Sequence, residues 1–496
     1  MLSRRSLLRL AGSTAAAGLA FSGFAGANDA AQYLVVGSNG VSSRLEDAGF
    51  ELRATLADDS IALAVGPAGE RATIESVPGV TAAGRNPTFR LSSPPQIEDY
   101  TDSVTEPLYP LQWDKQVTDA APAHEITTGD GSTIAVLDTG VHYDHPDLAG
   151  NVDGDAGRLF RGGQVYSGTE RDVVVPVDRL DHEAGTTTVS GRHVADDAQY
   201  HGTHVSGIAA AAANDIGVVG TAPDASIVAY RVFYWHEAGP PQEEGDPPEG
   251  TAILTTTTFD ILQAIEYAAA AGADVANMSL GTPPLQGSDH SDPSWRGYQQ
   301  VIQHATSQGT LVVASAGNAE ADLQHGGTFS IPNSTAGAIS VSATAPNDEL
   351  VFFSNYGTNE IDLGAPGGGY ETLRKTLCLG DGTVAGCDPT APDTDPGECE
   401  CDAPAWPYPS NLILSSVPPR SQFGGAYGYV AGTSMSAPQV AGAAALVRSV
   451  DPSATPKQVE QALLQSADLV QGSNDPGLGA GRLDVLGAVE AAGGGS

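Results

Sequence analysis

Lysine is almost missing from this chain: only Lys115, Lys375 and Lys457 occur among 496 residues. The other 19 of the 22 basic residues are arginine, set against 60 acidic ones, and the formal net charge is −38. So little positive charge excludes a nucleic-acid binder, which needs a basic face. It also excludes attachment to anionic membrane surfaces. Cysteine is scarce, with four residues clustered between 378 and 401. Past the N-terminus no apolar run reaches the roughly 18 residues that a membrane helix needs. Glycine, by contrast, is abundant at 60 residues and favours tight turns and close backbone contacts. Hydrophobic residues make up 41%, enough to bury a core and exclude global disorder. The length suggests about three units of roughly 150 residues.

The first 27 residues read as an export signal. Arg4-Arg5 and Leu7-Leu8 precede an Ala/Gly-rich apolar stretch, which ends on the small residues Ala25-Gly26-Ala27. Twin arginines of this kind resemble the twin-arginine route for folded cargo, so a secreted, extracellular product is expected. A membrane anchor is disfavoured by Arg9 and the many small residues. No cysteine near the cut suggests a lipid anchor.

Residues 31–92 read as a small α+β unit: a strand at 33–36, a helix at 42–48, a hairpin over 51–65, a helix at 69–77 and a closing strand over 80–91. Prolines 94 and 95 and an acidic stretch mark 93–106 as a linker. From 107 to about 490, apolar strands (132–137, 225–232, 275–280, 310–314, 339–343) alternate with alanine-rich helices (204–213, 259–272, 436–450). That alternation predicts an α/β domain with a mostly parallel sheet covered on both faces. Polar inserts at 150–198, 235–252 and 370–423 read as surface loops.

Three segments carry chemistry. Asp138 ends an apolar strand just before Thr139-Gly140, where open α/β sheets bind ligands; an ordinary turn is the bland alternative. His201 and His204 stand three apart before a helix. They would be a metal pair, two hydrogen-bonded histidines, or a catalytic base, and no glutamate completes a zinc-protease motif. Ser434 sits among small residues at a helix start, with Pro438 suited to the first turn. There a serine is either a cap or a nucleophile beside free amides.

Taken together, Asp, then His, then Ser in these contexts resembles the subtilases, the subtilisin-like serine proteases; this chain order is a known one for such proteases. Ser315-Ala316-Gly317-Asn318 resembles the family's oxyanion segment, and Asn277 to Gly281 its substrate-pairing strand. The resemblance implies a subtilisin-like three-layer fold in which Ser434 is the nucleophile, His201 its base and Asp138 the group orienting the imidazole. Asn318 would bind the oxyanion. Ser279, Leu280 and Gly281 would pair with an extended polypeptide substrate. Small walls at Ala316, Gly317 and 330–332, without an acid, imply large apolar residues before the cut.

The resemblance also implies a structural calcium ion held by Asp147, Asn214 and the carbonyls of Ala212, Ile216 and Val218; an ordinary turn is the alternative. It further implies that 31–92 is a propeptide, an intramolecular inhibitor later cut away, rather than a permanent accessory domain. An exported protein with Cys378, Cys387, Cys399 and Cys401 suggests two disulfides, with a zinc site as the rival. Cys399 and Cys401 are too close to bridge each other, so each should reach back to Cys378 or Cys387. The segment 479–484 resembles the family's closing segment, and no further domain is expected after it.

The leading expectation is a secreted, monomeric serine endopeptidase that binds neither nucleic acid nor membrane. A catalytically silent subtilase-fold binding module is the alternative. An α/β-hydrolase is disfavoured because Ser434 lies in no Gly-x-Ser-x-Gly elbow and the histidine precedes it. The Asp/Glu-rich, Lys-poor composition resembles proteins of extreme halophiles. It points to a halolysin-like member, active in molar salt and inactivated on dilution.

Overall fold

The structure is a computed structural model that describes residues 30–90, 96–100, 108–177, 182–241, 247–286, 292–325, 327–387, 389, 396–419, 425–470 and 476–494. The export signal at 1–27 lies outside these residues.

An eight-stranded sheet forms the centre. Its order is Leu363–Pro366, Ala338–Thr344, Leu311–Ser315, Val275–Met278, Thr133–Asp138, Ser226–Arg231, Arg158–Arg161 and Gln164–Tyr166; all pairs are parallel except the last. Alternation along each strand feeds two cores. Ile134, Val136, Leu311 and Val313 pack with helices His201–Ala210 and Thr433–Val450. Ala135, Leu137, Val312 and Ala314 pack with Thr258–Ala270 and Pro293–Gln308. Both faces are covered, which is why the strands read as continuous apolar runs, and the three-layer α/β architecture is as expected. The helix Pro293–Gln308 was not foreseen: polar residues dominate its exposed face, and only Tyr298, Val301, Ile302 and Ala305 report its buried side.

The N-terminal unit is a separate antiparallel sheet in the order Glu51–Leu56, Ile61–Pro67, Ala30–Gly37 and Val80–Arg85. One face packs on its own helices, Val41–Asp47 and Arg71–Glu75. The other, through Leu34, Val36 and Leu63, packs against the larger domain. At that junction both carboxylate oxygens of Glu266 accept the Ala57 N–H, at 3.1 and 3.0 Å.

Several expectations need correction. The strand expected over 80–91 is two strands, Val80–Arg85 and Thr88–Arg90, interrupted around Pro87, which has no N–H to donate. Thr88–Arg90 leaves the small sheet and pairs antiparallel with Ala252–Thr257. The linker 93–106 contains a strand, Gln96–Tyr100, paired antiparallel with Tyr427–Ala431. The helix expected at 204–213 runs from His201 to Ala210, so His201 opens it. The inserts are not merely surface loops. The first supplies Arg158–Arg161 and Gln164–Tyr166 to the central sheet and a hairpin, Arg171–Pro176 with Thr186–Arg192. The second supplies Tyr234–Glu237 beside Ala252–Thr257. The third buries Ile413–Ser416 against Tyr427–Ala431. It also holds two disulfides, Cys378–Cys401 and Cys387–Cys399, so each of the late cysteines does reach back.

Candidate active site

Asp138 and His201 meet at the carboxyl end of the central sheet, and Ser434 lies at that same end against Ser279, which follows the strand Val275–Met278. Asp138 ends the strand Thr133–Asp138, fully buried, with Oδ1 accepting the Thr139 N–H at 2.7 Å. His201 opens its helix, and its Nδ1 lies 2.8 Å from Asp138 Oδ1 and 3.0 Å from Oδ2. Asp138 can only accept, so Nδ1 carries the proton and Nε2 is left as the basic nitrogen. Burial opposes the charged ring. The Asp138 charge, its hydrogen bond and then Asp197 outweigh that, and the imidazole is pushed above its ordinary value of 6.5.

Ser434 is the second residue of Thr433–Val450 and is half-buried in a buried run. Its hydroxyl donates to the Ser279 carbonyl at 3.3 Å, and no hydrogen bond joins it to His201 among the described residues. Pro438 is not in the first turn as expected but lies inside the helix. Having no N–H, it frees the Ser434 carbonyl four residues earlier. The Ser279 hydroxyl takes up that carbonyl at 2.8 Å and is itself held by the Asn277 side-chain amide at 3.0 Å. Ser279 is thereby tied to Ser434 through both its oxygens, a link that sequence reasoning missed.

Asn318 Oδ1 accepts both the N–H and the hydroxyl of Thr433, each at 2.9 Å. With its oxygen fixed there, the side-chain NH2 is turned the other way and is free to donate. Gly317 has φ +99°, and a Cβ there would lie 2.5 Å from Asn355 Nδ2, which holds the Ala316 carbonyl at 2.8 Å. Only glycine fits this turn. Ser279 and Leu280 are buried and Gly281 is exposed. A Cβ on Gly281 would stand 3.3 Å from the Ile331 carbonyl. Thr282 ties the two segments together through its N–H to Ile331 O at 2.8 Å.

His204 does not share a ligand with His201. Its Nε2 contacts the Gly428 carbonyl at 3.0 Å, and burial lowers it to about 3, so it is a neutral interior histidine. Among the described residues no three His, Cys, Asp or Glu side chains converge on one point.

The residues expected to hold calcium are linked by local hydrogen bonds. Asp147 is fully buried and accepts the Val218 N–H at 3.0 Å on Oδ2, while its buried Oδ1 accepts no hydrogen bond. Its backbone carbonyl accepts the Ala212 N–H at 2.8 Å. Asn214 is engaged at both ends, with Oδ1 accepting the Ile216 N–H and Nδ2 donating to Pro146 O, both at 3.1 Å. Burial pushes the Asp147 carboxyl up to about 6. A buried carboxylate oxygen without a partner, in a loop of hard oxygen donors, fits a calcium ion.

Comparisons with known proteins show the family. The Subtilase family model matches residues 129–481. Subtilisin Savinase of Lederbergia lenta is 30% identical over 370 residues, covering 74% of this chain and 96% of that protein. Thermitase of Thermoactinomyces vulgaris is 30% identical over 364 residues, 73% and 90% of the two chains. In fold, the chain resembles the epidermin leader peptide processing serine protease of Staphylococcus aureus, with TM-score 0.64, 22% identity, and 93% and 98% of the chains covered. The chain belongs to the subtilase family. It is a subtilisin-like serine protease.

Proposed function

We propose that the protein is an exported, monomeric endopeptidase that cleaves polypeptides through an acyl-enzyme. The observation that carries this is the Asp138–His201 pair at 2.8 Å, at the same end of the sheet as a half-exposed serine at a helix start. The Ser434 hydroxyl turns from Ser279 to His201 Nε2 and attacks the peptide carbonyl as the imidazole takes its proton. Asp138 stabilises the imidazolium and keeps the tautomer. The oxyanion is met by the Asn318 NH2 and the free backbone N–H at the helix start. His201 then protonates the leaving amine, and water repeats the sequence on the acyl-enzyme.

The substrate lies extended between Thr255–Thr257 and Ser279–Gly281. Support comes from the chain itself, because Thr88 to Arg90 already pair antiparallel with Thr257 to Thr255. Large apolar residues before the cut suit the small walls of the pocket at Ala316, Gly317 and 330–332. Peptides cut only after basic residues would contradict this.

The same pairing favours residues 31–92 as an intramolecular inhibitor. Thr88–Arg90 lies on one side of the cleft, and Gln96–Tyr100 is paired to the strand that leads into Ser434. The maturation cut therefore falls between Arg90 and Gln96, and N-terminal sequencing of the secreted form checks it. Asp147, Asn214 and the carbonyls of Ala212, Ile216 and Val218 would hold calcium, which cross-links the loop behind the His201 helix. The net charge of −38 supports a halolysin-like enzyme that needs molar salt, where the Debye length falls to about 3 Å. Export by the twin-arginine route follows from Arg4-Arg5. The deciding experiment is Ser434→Ala: loss of peptidase activity supports the reading, and retained activity refutes it.

A further inference from the structure

Asp197 stands four residues before His201 and takes no part in the steps above. Its buried carboxylate accepts four hydrogen bonds. The donors are Thr139 Oγ1 at 2.8 Å, the Gln199 N–H at 2.8 Å, the Thr203 N–H at 2.9 Å and Thr203 Oγ1 at 2.5 Å. The direction of each hydroxyl proton follows from its other partner. Thr139 Oγ1 accepts the Gly202 N–H at 2.9 Å, and Thr203 Oγ1 accepts the His142 N–H at 3.0 Å. Each hydroxyl therefore spends its single proton on Asp197. Burial pushes this carboxyl above its ordinary value, and the four donors offset only part of that rise. With two donors on each oxygen, no lone pair faces an acceptor that could receive a carboxylic proton, so Asp197 is an anion.

The donors come from two elements. Thr139 directly follows Asp138, and Thr203 lies in the first turn of His201–Ala210, where an anion also meets the positive end of the helix. Gln199 closes the ring, with its Oε1 accepting the N–H groups of Tyr200 at 3.1 Å and His201 at 3.0 Å. The two elements touch closely, for a Cβ on Gly202 would fall 2.1 Å from the Gly140 carbonyl. One buried carboxylate is thus bonded both to the strand end that carries Asp138 and to the helix start that carries His201.

We propose that Asp197 is a positioning residue for peptide hydrolysis, locking the strand end that carries Asp138 to the helix start that carries His201 and supporting the imidazolium by its charge. This rests on the reading of Asp138, His201 and Ser434 as the reacting set. The groups that face His201 are Asp138 from the strand, Asp197 and Tyr200 from the preceding loop, and His204 from its own helix. Arg231, buried at the end of Ser226–Arg231, lies on the side of Asp196 and Asp197. An asparagine at 197 would remove the charge and turn an NH2 group toward donors that have nothing to give it.

The test is steady-state kinetics of mature Asp197→Asn, Thr139→Val and Thr139→Ser across pH, with active sites counted by a serine-directed phosphonate and melting followed on the same samples. The expected result for Asp197→Asn is a fall in kcat per site of about 10–10²-fold, the cost of a small misplacement, with KM nearly unchanged. Its acid limb of kcat/KM should move to lower pH, because His201 loses a neighbouring anion. Thr139→Val should lower kcat, and Thr139→Ser, which keeps the hydroxyl, should restore it. Wild-type kcat per site with an unmoved acid limb, whatever the melting temperature, overturns the proposal. If Asp197→Asn yields no folded enzyme, the threonine pair decides, and Thr139→Val with wild-type kcat overturns it. Activity surviving in Ser434→Ala would instead overturn the underlying reading of the site.

Discussion

The helix His201–Ala210 is bounded by two buried aspartates, and they are held in different ways. At its start Asp197 receives four donors from the chain and leaves no oxygen unpaired. Beyond its end Asp147 keeps a buried oxygen with no partner. A buried carboxylate oxygen left without a donor is costly. The first carboxylate is fully paired within the chain, whereas the second keeps one oxygen unpaired, which is the opening that a cation is proposed to fill. Asp197 lies beside Asp138 and His201, so changes there are expected to act on turnover; Asp147 lies in a loop, so changes there are expected to act on stability.

The scale for any effect at the Asp197 end is set by the reacting residue itself. Ser434→Ala is expected to lower kcat by about 10⁶-fold, the size found for the nucleophile of subtilisin. Asn318→Ala should cost roughly 10²–10³-fold in kcat, again a magnitude known from subtilisin, and unchanged turnover would remove Asn318 from the oxyanion role. Dilution from molar salt to low-salt buffer probes the whole surface rather than either end. Loss of activity, recoverable or not, is expected as the screening of 60 acidic side chains is withdrawn, and lasting activity would mark an ordinary acidic protein.

A chelator addresses the Asp147 end. It should lower the melting temperature by several degrees, and Asp147→Asn should abolish that response; an unchanged melt would leave the orphaned oxygen without a cation. The smallest effect concerns pH. His201 must be neutral to act as base, and its folded value is raised above 6.5, chiefly by Asp138 against the opposing effect of burial. Activity is therefore complete well above that value and falls as pH drops through it. An acid limb of kcat/KM centred below 6.5 would contradict the Asp138–His201 geometry.

The local part of this organisation was legible from the residues. Asp138, His201 and Ser434 each sit at the end of a strand or the start of a helix, where the motif is continuous in sequence. The layered sheet was legible because its strands are buried on both faces. Long-range pairings were not. Ser279 meets Ser434 across 155 residues, and nothing in either segment announces the contact. Gln96–Tyr100 looked like a linker because its partner strand, Tyr427–Ala431, is more than 300 residues away. Ile413–Ser416 was hidden in an insert dominated by Asp, Gly and Pro. Asp197 carried no signal of its own, since Thr139 and Thr203 become its partners only when strand and helix meet.

The central claim is that Ser434, activated by His201, is the nucleophile. Mass spectrometry of the mature enzyme after a serine-directed phosphonate tests it most directly, with His201→Ala treated in parallel. One adduct is expected, on Ser434, with peptidase activity lost in step and labelling strongly slowed in His201→Ala. An adduct on another serine, or full activity in an enzyme labelled at Ser434, would contradict it.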